Sequence, residues 1–145
     1  MKSIHKTHDV ERIKLHLFRV MEAGIPIKAY FIYGFPNETM DDFDKTYSLA
    51  CELRDAAKNN GVGFRTSVFQ FRPYHGTELF HVLISQGVDA SGMVQVEGNH
   101  ELSSLVGRLQ FNFHSGNYAG ESIEIVRDYI HKTANLSTAE DWGLE

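Results

Sequence analysis

The chain has 145 residues, 42% of them hydrophobic and 12% aromatic, enough for one modest core. Its 14 basic and 19 acidic residues leave a net charge of −5, which argues against a nucleic-acid binder that relies on bulk electrostatics. The single cysteine, Cys51, excludes an intramolecular disulfide and any cluster that draws more than one thiolate from this sequence.

Residues Thr7 to Ala23 have the spacing of an amphipathic helix. Asp9 or Thr7 is placed to cap it, Ile13, Leu17, Val20 and Met21 fall on one stripe, and Gly24 stands as its stop. Lys28 to Tyr33 follows as a strand, and its apolar run Tyr30-Phe31-Ile32-Tyr33 predicts burial on both faces, as in a parallel sheet. Gly34 breaks the strand and Pro36 forbids its continuation. Thr39 then caps a helix whose acidic first turn, Asp41-Asp42, complements the positive helix end. That helix runs from Met40 to about Asn59 with Phe43, Tyr47, Ala50, Leu53 and Ala57 as its buried stripe. Cys51 lies beside the stripe and reads as a packing residue.

Gly63 to Arg72 predicts the next strand, running into Arg72-Pro73-Tyr74-His75-Gly76-Thr77. Phe80 to Ser85 reads as a short helix. Gly87 to Asn99 has turn composition around a possible strand at Met93 to Val96. Glu101 to Phe113 fits either a helix or a helix that passes into an extended piece. His114 to Gly120 is rich in turn residues. Glu121 to about Ala134 is a final helix with Ile123, Val126 and Ile130 on one face. Leu136 to Glu145 forms an acidic tail, expected to fray unless Trp142 docks.

Two segments carry a resemblance. Ala23-Gly24-Ile25 with the strand and Gly34-Phe35-Pro36-Asn37-Glu38-Thr39 resembles the fifth-strand segment of radical S-adenosylmethionine (SAM) enzymes. Asn37 stands where that family usually has a second glycine, a mild departure because asparagine tolerates positive φ. Arg72 to Leu79 resembles the same family's sixth-strand exit, with His75 in a position commonly held by proline. Lys6-Thr7-His8 is similar to the lead-in after the family's fourth strand, which places Lys6 near a ligand carboxylate or, more plainly, on a solvated helix entry.

The resemblance implies an α/β fold: a partial (β/α) barrel fragment with two βα-type units over residues 1–83. A mainly helical C-terminal extension would occupy 84–145, its last helix at about 121–134. It implies SAM and a [4Fe–4S] cluster as cofactors, with cobalamin possible. The cluster ligands, three cysteines spaced C-x-x-x-C-x-x-C, have no counterpart in this sequence. What remains resembles the adenine end of the SAM site. By position, Ile32 packs on adenine, Gly34 allows close approach of the nucleoside, and the backbone at Phe71 and Arg72 meets the adenine edge. The expected partner is the missing N-terminal half of the barrel, another subunit, or a second copy that covers exposed strand edges. Glu38 reads as a structural hydrogen-bonder.

Eight histidines carry no HExxH or other paired-ligand motif, so no metal site is expected from them. Neither a signal peptide nor a membrane-length apolar run is legible, and a cytoplasmic protein with no membrane or nucleic-acid partner is expected. Taken alone, the chain is expected to be catalytically inactive. The alternative is a degenerate half-barrel that binds a nucleoside-like ligand or a partner subunit.

Overall fold

A computed structural model describes residues 9–74, 76–88 and 117–137. Among these, the elements in chain order are α1 (Val10–Glu22), β1 (Ile27–Tyr33), α2 (Met40–Asn59), β2 (Phe64–Gln70), α3 (Glu78–Ser85) and α4 (Ile123–Ala134). The chain is α/β, and its described sheet is a two-stranded parallel pair. It divides into two compact units, one joining Met1–Phe71 to Asn117–Glu145, the other Arg72–Gly116. In the first unit α4 packs with both strands.

In the first unit, Asp9 caps α1 by accepting from the Arg12 amide at 3.2 Å, and Gly24 ends it at φ 78°. Only Met21 of the expected stripe is buried; Leu17 and Val20 are half-buried and Ile13 is exposed. Parallel pairing sets Ile27 opposite Phe64 and Tyr33 opposite Gln70, and a further bond of 2.6 Å from the Phe71 amide to the Tyr33 carbonyl extends the ladder by a step. Strand side chains alternate faces. Ile27, Phe31, Tyr33 and Phe64 enter a core with Met21, Phe43, Ala50, Leu53 and Val126. The opposite face holds Tyr30 at 65% exposure and Ile32 at 42%. Within the described residues the strand is therefore covered on one face, not on both as its apolar run predicts.

The final helix begins close to its expected start, with the Ser122 hydroxyl accepting from the Ile125 amide. Its buried positions are Val126, Tyr129 and Thr133; Ile123 and Ile130 are only half-buried. Leu136, expected to open a frayed tail, is 6% exposed and belongs to the core. Beside it the Ser137 hydroxyl accepts from the Thr66 amide at 2.9 Å and pairs with the Thr66 hydroxyl at 2.8 Å, so the chain beyond α4 is tied to β2.

In the second unit, the Thr77 hydroxyl donates to the Tyr74 carbonyl at 2.7 Å and accepts from the Phe80 amide at 3.3 Å, capping α3. Phe80 and Leu83 are its buried side chains. Expectations for Lys6, His75, Met93–Val96, Glu101–Phe113 and Trp142 fall outside the described residues. Among the described residues no helix is long and apolar enough to cross a membrane.

Candidate functional site

The turn after β1 is built by one carboxylate. Glu38 Oε2 accepts from the Gly34 amide at 2.7 Å and from the Phe35 amide at 2.9 Å, closing the turn on itself. Burial pushes the Glu38 carboxyl above its ordinary range, against the downward pull of these two N–H groups. A carboxylate committed to two backbone donors is a structural brace, as the sequence reading has it. Asn37 sits at φ 65°, the one non-glycine residue with positive φ among the described residues, so it serves as a glycine would. At the start of α2, Asp42 Oδ2 accepts from the Thr39 amide at 3.1 Å and hydroxyl at 2.9 Å. Those bonds hold the Asp42 carboxyl below its ordinary range and start α2 on the exposed side of the turn.

Gly34 is buried at φ 94°, a conformation that suits glycine. A Cβ there would stand 3.5 Å from Val126 Cγ1, 3.7 Å from Gln70 Cγ and 3.9 Å from the Phe71 amide. The turn thus closes directly over the end of β2. Phe35 packs on Phe71 with ring centroids 4.5 Å apart, and Tyr118 meets Phe71 edge-on at 5.8 Å.

Of the four residues singled out from sequence, three come together at adjacent strand ends. Ile32 stands on the open face, Gly34 lies at the exit of β1, and Phe71 lies at the exit of β2. The Phe71 amide is used within the ladder, by the Tyr33 carbonyl, so this donor fixes the strand exit. Arg72 is half-buried and opens the second unit.

Sequence reasoning missed the loop that flanks this turn. Tyr118 joins the aromatic cluster, and Glu121 Oε1 accepts from the Met40 amide, 3.3 Å away, at the start of α2. The Asn117 side chain holds the Glu121 carbonyl at 2.6 Å. Only the turn composition of 114–120 hinted at a structured loop; its partners are distant in sequence, Met40 lying 81 positions before Glu121 and Phe71 well before Tyr118. Among the described residues no group of three or more His, Cys, Asp or Glu side chains is placed to hold a metal ion. Cys51, half-buried on α2, is the sole thiol. The donors in this chain do not fit an iron–sulfur cluster.

One curated relative can be set beside this geometry. The chain is 38% identical over 71 residues to the ribosomal protein uS12 methylthiotransferase RimO of Elusimicrobium minutum (strain Pei191). That stretch is 49% of this chain and 15% of the relative, so the likeness covers a small part of the longer protein. No family profile matches the chain. No solved structure matches it either.

Proposed function

We propose that this chain supplies the adenine-side edge of a SAM site in an enzyme of radical SAM type, and that the three cluster thiolates come from polypeptide outside these 145 residues. The observation that carries the reading is the turn from Gly34 to Glu38, braced by its own carboxylate at the C-terminal end of a parallel strand. Ligands of parallel α/β folds gather at that edge. The partial identity to a methylthiotransferase, itself a radical SAM enzyme, supports the same origin. In this reading Ile32 lies against the adenine ring and Gly34, lacking a Cβ, lets the nucleoside reach the backbone. Phe71 holds the two strand ends together.

SAM, when bound at a cluster, supplies the radical chemistry. This chain's own residues bind and orient the nucleoside. Adenosine added to the isotope-labelled chain tests the proposal by amide chemical shifts. Shifts should centre on Ile32, Gly34 and Phe71, and Ile32→Ala should weaken binding roughly fivefold through lost apolar contact. The absence of any shift at Gly34 at millimolar adenosine, or unchanged affinity in the variant, would refute it.

A second reading, a binding or subunit-interaction module without turnover, draws on the strand edges. A two-stranded parallel sheet is rarely stable without neighbours, and β1 and β2 each keep an outer edge without a strand partner among the described residues. Light scattering with melting curves separates the two readings: a stable dimer, or a strict monomer with one cooperative melt, favours the module, whereas aggregation or a molten state favours a fragment of the enzyme.

A further inference from the structure

We propose that the turn from Gly34 to Met40 rejects phosphorylated ligands and admits a nucleoside whose 5′ substituent is neutral or cationic, with Glu38, Asp42 and Glu121 as the discriminating residues. The inference deepens the adenine reading and rests on it. A strand, a glycine turn and a helix start form a common phosphate cradle, because amides at the helix N-terminus point at the anion and the helix dipole favours it. Here those donors are taken. Glu38 Oε2 accepts from the Gly34 and Phe35 amides, Asp42 Oδ2 from the Thr39 amide, and Glu121 Oε1 from the Met40 amide. Between them, Pro36 has no N–H and the Glu38 amide donates to the Phe35 carbonyl at 3.1 Å. A phosphate arriving at this turn thus meets carboxylate oxygens where a cradle offers N–H groups.

The third carboxylate is the least expected, because it reaches α2 from the loop that leads into α4. Its position is built. The Asn117 side chain holds the Glu121 carbonyl at 2.6 Å, and a Cβ at Gly120 would stand 3.7 Å from the Glu38 carbonyl, so the loop runs directly against the turn. Asp42 keeps its charge at neutral pH, since its bonds from Thr39 hold the carboxyl below its ordinary range. The first cation of α2, Lys45, is paired with Asp41. Repulsion between such charges and a ligand phosphate reaches over about one Debye length, roughly 30 Å at about 0.01 M salt and roughly 3 Å at about 1 M. Salt therefore separates this electrostatic selection from a steric one.

Adenosine, 5′-amino-5′-deoxyadenosine and adenosine 5′-monophosphate share one ring system and differ in charge. They are the probes, titrated into the labelled chain with amide shifts as the readout. At about 0.01 M salt the monophosphate should bind roughly tenfold more weakly than adenosine, and the amine at least as tightly; at about 1 M salt the gap should close to roughly twofold. Inorganic phosphate alone, at millimolar concentration, should leave the Gly34, Phe35, Thr39 and Met40 amides unshifted. Glu121→Gln keeps an acceptor for the Met40 amide and removes the charge. It should narrow the ratio of adenosine to monophosphate affinity roughly threefold, a ratio taken within one variant and so insensitive to its stability. Adenosine shifts at Gly34 with equal or tighter binding of the monophosphate, as the Arg72 guanidinium reaching the phosphate would give, overturn this inference and leave the adenine reading standing. Phosphate shifts at the Met40 amide, or an unchanged ratio in Glu121→Gln, overturn it as well. No adenosine shift at Gly34 refutes both.

Discussion

Glu38 shows how one side chain decides a local shape. Its two backbone bonds replace strand partners that Gly34 and Phe35 lack once β1 ends. Removing the acceptor leaves two part-buried donors unsatisfied, so Glu38→Ala should cost about 1–3 kcal/mol in a urea melt. The pH dependence follows from burial raising the carboxyl's pKa above its ordinary 4.5. The folded chain then holds this proton more firmly than the unfolded chain does. The stability it contributes is full below the ordinary value, falls as pH climbs toward the raised one, and is level above that. Glu38→Gln keeps an acceptor and carries no charge. Its stability relative to wild type should therefore rise between about pH 4 and about pH 7, as urea melts at both values would show. A brace of this kind is legible in sequence, since a carboxylate four residues after the turn glycine has the amides within reach. The state of its proton is not legible, because burial depends on what packs around the turn.

Among the elements, α4 departs most from its sequence pattern. Ile123, Val126 and Ile130 define an apolar face by spacing, yet the buried positions are Val126, Tyr129 and Thr133. The helix turns a polar edge inward because partners await it there. Tyr33 and Thr133 share a buried hydroxyl pair at 2.8 Å, and burial pushes the Tyr33 phenol up to about 12. The Tyr129 hydroxyl donates to Asp44 on α2, a bond that raises its pKa to about 12. Lys132 lies over the same ring, 3.1 Å from its centroid. Tyr33→Phe should cost about 1–3 kcal/mol by stranding the Thr133 hydroxyl, whereas Tyr33→Phe with Thr133→Val should recover most of it, since both polar groups then leave together. Denaturant melts of the single and double variants measure this coupling. Local patterning places α2 well, with Phe43, Ala50, Leu53 and Ala57 of its expected stripe buried, and it places the caps at Asp9 and Thr39. It has no access to a tyrosine one hundred positions away, and so it places Leu136 in a loose tail. The Gly34–Glu38 turn is readable by position because its contacts are local, whereas Phe71 meets it across the parallel ladder, through the bond from its amide to the Tyr33 carbonyl. The Tyr118 and Glu121 contacts are not readable, because they close over the whole length of the second unit.

For the whole molecule, cysteine count sets the chemistry. Anaerobic reconstitution with iron and sulfide should give no [4Fe–4S] cluster stoichiometric with the monomer and no SAM cleavage, because one thiolate cannot replace three. Iron analysis together with detection of 5′-deoxyadenosine measures both, and a stoichiometric cluster with cleavage would overturn the division of labour proposed above.

The return of the chain from Gly116 to α4 has a consequence for biosynthesis. β1 and β2 leave the ribosome well before the helix that covers them. At roughly 5–20 residues per second, the interval between completing Gln70 and completing Ala134 is roughly 3–13 s. During that time, among the described elements of the first unit, α1 and α2 are the ones that shelter Phe31, Tyr33 and Phe64. The nascent strand pair is thus a substrate for holding chaperones until its last helix arrives, and slowing translation across residues 72–122 lengthens that exposure.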